Sequence, residues 1–160
     1  MSKQLKLKIV TPERLILEEM VDQVSLPTTQ GEITVLPDHI PLITGLASGD
    51  VVALVGGEYV PMAVVGGFAE VKHDQNIITE VAVLADFAEH IGELSDEKVE
   101  KSKARAAELS KLMPARNAAH NAAGGENKEH VDFEHFEAEL ERSLTRVKIA
   151  DKWRTKKYRE

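Results

Sequence analysis

Six histidines, 27 acidic side chains and no cysteine bound the chemistry open to this 160-residue chain. Without Cys there is no disulfide framework, no thiol nucleophile and no Cys-based zinc site. His130 and His135 stand five residues apart, whereas two ligands on one helical face need a spacing of four. They read as solvated helix and loop residues, as do His73, His90 and His120. No serine lies in a Gly-x-Ser-x-Gly turn. Asp86 follows an apolar run without a partner acid or base, so it reads as a turn or capping carboxylate. Gly56-Gly57 and Gly66-Gly67 lack the spacing of either phosphate-binding fingerprint. They read as hairpin turns and points of close strand packing. The polar groups that remain look built for display rather than reaction. In QGEITVLPDHIPLIT, residues 30–44, an acid (Glu32) and a histidine (His39) flank or follow Pro37, with Pro41 just beyond. A proline-stiffened turn of this kind presents a surface of fixed shape.

The elements that carry this turn change period along the chain. Leu5, Leu7 and Ile9 alternate with Lys6 and Lys8, the pattern of a half-buried strand. Val24 and Leu26, Ile33 and Val35, the run 51–55, the runs 59–65 and 68–72, and the run 77–84 follow, separated by Gly or Asn/Asp turns. Short runs at this spacing predict an antiparallel β-sandwich or a barrel over residues 1–90, of which the sandwich is the expectation adopted. From Ser95 and Asp96, an N-cap with an acidic first turn, the period becomes helical. Val99, Ala106, Leu109 and Met113 form one stripe, and Pro114 is expected to end or kink that helix. Asp132 is expected to cap a second helix, on which Phe133, Phe136, Leu140, Leu144 and Val147 share an arc of roughly 80°. One stripe per helix predicts an antiparallel two-helix hairpin over 91–160, with a long connection near 114–131. The second helix loses its stripe beyond Val147, and Trp153 lies off it.

Charge is segregated. Residues 1–90 hold 5 Lys/Arg against 13 Asp/Glu, whereas residues 142–160 hold 8 against 2. A basic tail on an acidic body seeks an acidic partner, which nucleic acid or an acidic protein surface would each provide. The aromatics for base stacking are limited there to Trp153 and Tyr158, which favours a protein. The N-terminal residues do not form a secretory signal, and no run approaches the roughly 18 apolar residues of a membrane span. A cytoplasmic-type chain able to dock on a membrane complex is expected.

LPDHIPLITGLASGDV, from Leu36, resembles the Leu/Tyr-Pro-x-His-x-Pro-Leu-x-Thr-x-Leu-x-x-Gly signature of the ε subunits of F-type ATP synthases (the bacterial and chloroplast type, equivalent to mitochondrial δ). VVGGFAEV, residues 64–71, and VAVLADFAE, residues 81–89, match two further segments of that family in order and spacing. The resemblance implies a noncatalytic central-stalk subunit that couples the gamma subunit to the membrane c-ring, peripheral on the cytoplasmic side of a bacterial plasma membrane. It implies c-ring docking through Glu32 and gamma docking through His39, with Pro37 and Pro41 shaping the loop. It implies a hairpin whose second helix meets an acidic loop of the beta subunit in the alpha/beta catalytic head and blocks ATP hydrolysis. Arg142, Arg146, Lys152 and Arg154 are the candidates for that contact. No nucleic acid, metal or resident cofactor is implied. Some relatives bind regulatory ATP through Asp-x-x-Arg-Ala, but here Ser95, Lys98 and Val99 occupy those positions. Thr34 and Asp38 stand where relatives often have Gly. Two other functions compete: a rotor subunit with a purely structural hairpin, and a nucleic-acid-binding module using the basic tail.

Overall fold

The computed structural model describes residues 3–73, 78–93, 95–120 and 133–157. The chain divides into two compact units, Met1–Glu93 and Leu94–Glu160.

The first unit is a sandwich of two five-stranded sheets. Its strands are β1 (Leu5–Val10), β2 (Leu15–Val21), β3 (Gln23–Thr28), β4 (Gly31–Val35), β5 (Leu42–Gly45), β6 (Gly49–Val55), β7 (Glu58–Val65), β8 (Phe68–His73), β9 (Thr79–Leu84) and β10 (Phe87–His90). One sheet runs β2-β1-β9-β8-β5 and the other β10-β7-β6-β3-β4. All pairings are antiparallel except β1 with β9, which is parallel. Alternation does what the sequence pattern requires. Leu5, Leu7 and Ile9 point inward and are fully buried, while Lys6 and Lys8 face out. They meet Val24, Leu26, Val51 and Met62 of the opposite sheet in one core. Burial of such side chains contributes about 1.5–3 kcal/mol each.

The glycine pairs divide the two roles expected of them. Gly56 and Gly57, at φ 59 and 90, turn the β6–β7 hairpin, where Val55 pairs with Glu58. Two positive-φ residues in a two-residue loop match the right-handed twist of the strands. Gly66-Gly67 makes no hairpin, because β7 and β8 belong to different sheets. The chain crosses there against the end of β9, and a Cβ on Gly67 would lie 2.0 Å from the Leu84 carbonyl oxygen. A second crossing, between β2 and β3, is tied by Asp22. Its N–H donates to Leu54 O, and its carboxylate accepts from the Gly56 N–H at 2.9 Å.

A 3-10 turn, Ile91–Glu93, ends this unit. The second unit holds α1 (Asp96–His120) and α2 (Phe133–Lys157). Ser95 caps α1, its hydroxyl accepting from the Lys98 N–H at 3.3 Å. Of the two outcomes expected at Pro114, an end is not observed: α1 runs on to His120. Proline removes a single backbone donor, and the Ala-rich residues beyond it keep helical propensity high. The expected cap at Asp132 and the side chains of Met113 and Phe133 lie outside the described residues.

The helices are antiparallel, since Asp96 pairs with Arg154 and Arg105 with Glu139. Val99, Ala106 and Leu109 are buried on α1, as their spacing predicts. On α2 the apolar stripe is not the buried face. Leu144 is 51% exposed, and Phe136, Leu140 and Val147 are half-buried. Ser143, Thr145, Ile149 and Ala150 are buried instead. The cross-helix ion pairs account for part of this: Glu139, Ser143, Ala150 and Arg154 share an arc of about 60°, centred about 70° from the apolar stripe, whereas Thr145 and Ile149 lie about 140° and 180° from it.

Candidate docking surfaces

The sandwich positions Glu32 and His39 on different features. Glu32 is exposed on β4, opposite Pro27 of β3. Its hairpin turn is tied across to the other sheet by Thr29 N–H donating to Gly45 O at 3.0 Å and by a bridge between Thr28 and Leu46. His39 lies beyond the other end of β4, roughly 10 Å along the strand. The sequence stretch that looked like one polar turn is therefore two separate displays.

The loop holding His39 is tightly determined. His39 N–H donates to Leu36 O at 3.2 Å, closing a four-residue turn with Pro37 second and Asp38 third. Asp38 has φ 66. Pro followed by a positive-φ residue is the pattern of a type II turn, whose third position favours Gly. Asp38 holds this position with compensation. Asp38 N–H donates to Thr79 Oγ1 at 2.7 Å, and its carboxylate pairs with Lys3 Nζ at 2.6 Å. The His39 ring is half-buried, with Nδ1 donating to Ile40 O at 2.7 Å. Pinned in this way, the loop exposes apolar side chains: Ile40 is 73% exposed and Leu36 is exposed beside it. On β4, Thr34 Oγ1 hydrogen-bonds Ser25 Oγ at 3.0 Å across the β3–β4 pair.

A larger surface was not found by sequence reasoning. Strand register places Gly45 beside Phe68, Phe68 beside Leu84, Leu84 beside Val10 and Val10 beside Leu15. These residues make one row across all five strands of the first sheet, on its outer face. Phe68 is 63% exposed, Leu84 and Leu15 are exposed, and Ile43 is 73% exposed on the edge strand β5. Five strands at about 4.8 Å spacing make the row roughly 19 Å wide. Contiguous exposed apolar surface of this kind marks interaction sites. Further along the strands the same face turns ionic. Lys72 reaches Glu70 at 3.6 Å and Glu80 at 3.5 Å, and Lys6 reaches Glu18 at 2.6 Å. Glu70 and Glu80 raise the pKa of Lys72, and the hydrogen bond from Lys6 lowers that of Glu18. The signal lay in Phe68 and Leu84, which break or begin an alternating run, but only the register aligns them.

The four basic candidates on α2 do not form one patch. Arg142 and Arg146 are half-buried, Lys152 is exposed, and Arg154 is engaged by Asp96. Arg142 and Arg154 are separated by about 18 Å along the axis. Among the described residues no group of His, Asp or Glu is arranged to hold a metal ion. No described helix is long and apolar enough to cross a membrane.

The described residues thus form a ten-stranded sandwich followed in the chain by a pair of antiparallel helices. Residues 4–91 match the β-sandwich domain of the ATP synthase delta/epsilon chain. The ATP synthase epsilon chain of Syntrophobacter fumaroxidans is 36% identical over 152 residues, 95% of this chain and 99% of that one. That of Desulforamulus reducens is 34% identical, covering 94% and 100%. That of Dehalococcoides mccartyi is 37% identical, covering 94% and 95%. The chain belongs to the ATP synthase delta/epsilon chain family. Its fold is also that of a chain in the Euglena gracilis mitochondrial ATP synthase, in a structure of OSCP, F1 and c-ring. That match has a TM-score of 0.58 at 21% identity and covers 95% of this chain and 80% of the other.

Proposed function

We propose that the chain is a noncatalytic central-stalk subunit of an F-type ATP synthase, peripheral on the cytoplasmic side of a bacterial plasma membrane. Its sandwich couples the gamma subunit to the c-ring, and its hairpin suppresses ATP hydrolysis. The observation that carries the coupling role is the pinned loop Leu36–Pro41, tied to the Thr79 end of β9, together with the apolar row at the opposite, Leu84 end of the same strands. A surface ordered before association loses little entropy on docking, so its apolar area goes into affinity. The gamma subunit takes the loop around Pro37, His39 and Pro41 and the apolar row. Glu32, on the tied β3–β4 turn, faces polar loops of the c-ring. The inhibitory role is supported by the basic end of α2, which electrostatics steer toward an acidic loop of the beta subunit.

The test is a titration of catalytic head lacking this chain, with full-length protein and with residues 1–93, following co-elution and ATP hydrolysis. Both should co-elute and only the full chain should suppress hydrolysis. Binding by both with suppression by neither makes the hairpin purely structural. Binding by neither removes the coupling role.

A further inference from the structure

The hairpin ties one of its own basic candidates to itself. Arg154, near the end of α2, pairs with Asp96, the first residue of α1. Nine residues along α1, about 14 Å, Arg105 grips Glu139 with two nitrogens, Nε at 2.8 Å and Nη2 at 3.2 Å. Its Nη1 is held by Glu108 of the same helix at 2.9 Å. Two ion pairs thus cross between the helices, one at the open end of the hairpin and one further in.

We propose that these pairs form an electrostatic latch, in which Asp96 competes within the molecule for the guanidinium that an acidic partner loop would take. The competition rests on the inhibitory contact proposed above; the latch itself does not. Three observations support it. Both pairs are cross-helix, so both break when the helices separate. Both are partly open to solvent, Asp96 almost fully so and Glu139 least, and such pairs hold weakly enough to be displaced. The buried positions between them are Val99 and Ser102 on α1 and Ser143, Thr145, Ile149 and Ala150 on α2, so only two of the six carry a large apolar side chain. Charge therefore decides more of the closed state than it would in a leucine-rich seam. Glu108 preorganises Arg105, so less rotamer freedom is lost when it grips Glu139. A carboxylate on the same chain acts at high effective concentration, and an acidic partner must outcompete it before Arg154 changes hands.

The chain has no native cysteine, so nitroxides can be placed at Ala104→Cys and Lys148→Cys alone. Electron–electron distance measurements on the full chain would then compare Asp96→Asn, Glu139→Gln, the double variant and the reversal Asp96→Arg/Arg154→Asp. Each single variant should raise the long-distance population about two- to fivefold, and the reversal should restore the short distance. Restoration distinguishes a latch from general damage to the helices. In parallel, Asp96→Asn should lower the concentration needed to suppress hydrolysis by a similar factor. Unchanged distances in the double variant overturn the latch whatever the hydrolysis assay shows. Opening with no gain in potency, in a chain that still suppresses hydrolysis, overturns the competition for Arg154. A wild-type chain that never suppresses hydrolysis removes the inhibitory reading, and the distances alone then decide the latch.

Discussion

The Asp38 backbone N–H donates to the Thr79 hydroxyl at 2.7 Å, joining two residues 41 apart in sequence. Thr79 is 2% exposed, so the bond ties the Pro37 loop to the first residue of β9 rather than to solvent. Thr79→Val keeps the shape and leaves the amide without this partner. We expect a loss of about 1–3 kcal/mol in urea unfolding. Asp38→Gly should relieve the left-handed backbone and be tolerated, whereas Asp38→Val at φ 66 should cost about 1–3 kcal/mol. Equal midpoints for the Gly and Val variants would show that the turn does not hold this shape in solution.

The two glycine pairs should respond very differently to a methyl group. Gly57→Ala meets open space and pays only for its φ of 90, about 1–2 kcal/mol. Gly67→Ala would drive a methyl into the Leu84 carbonyl, a backbone clash that no rotamer relieves. We expect a loss above about 4 kcal/mol, read as insoluble or unfolded protein beside a soluble Gly57→Ala control.

The apolar row should matter to assembly and little to folding. Phe68→Ser and Leu84→Ser alter side chains that are already exposed, so thermal unfolding should move by less than about 1 kcal/mol. Association with isolated gamma subunit should weaken tenfold or more, about 1.4 kcal/mol. Unchanged affinity in the double variant would move the gamma contact off this face.

Acid should loosen the hairpin through Glu139. The hydrogen bond from Arg105 holds its carboxyl below the ordinary glutamate value of 4.5. A carboxyl lowered in the folded state adds stability that is full above 4.5 and is lost as pH falls through the lowered value. Trp153 is the chain's only tryptophan and lies on α2, so its fluorescence reports this unit. The change in its emission below pH 4.5 should shrink in Glu139→Gln. An identical acid profile in that variant would assign the transition to other carboxylates.

Much of this fold was legible wherever one face of an element is buried. Leu5, Leu7 and Ile9 announced β1, and Ser95 with Asp96 announced α1. Strand β2 was not, because LILEEMV is an edge strand with most side chains exposed, and its Glu18 serves an ion pair rather than the core. The rotation of α2 was hidden for a related reason. Its apolar stripe was visible, but two guanidinium–carboxylate pairs between distant residues place Ser143 and Ala150 on the inner face. Among the candidate docking residues, the stiffness of the Pro37 loop could be read directly. The row from Leu15 to Phe68 could not, since it exists only once five strands are in register.

The parallel pairing of β1 with β9 also governs when the sandwich can form. Leu7 lies beside Val81, and β9 separates β1 from β8 in the sheet. On a ribosome, the first strand to emerge waits for more than seventy further residues before its inner neighbour exists. Until then the β1–β2 hairpin and the β5–β8 pair each present an unsatisfied edge, and their buried faces have no common sheet to join. Closure of the sandwich is thus a late, long-range event that contact order makes slow. A nascent chain arrested before residue 84 would need shielding by a chaperone, whereas one released after it can seal both edges with a single strand.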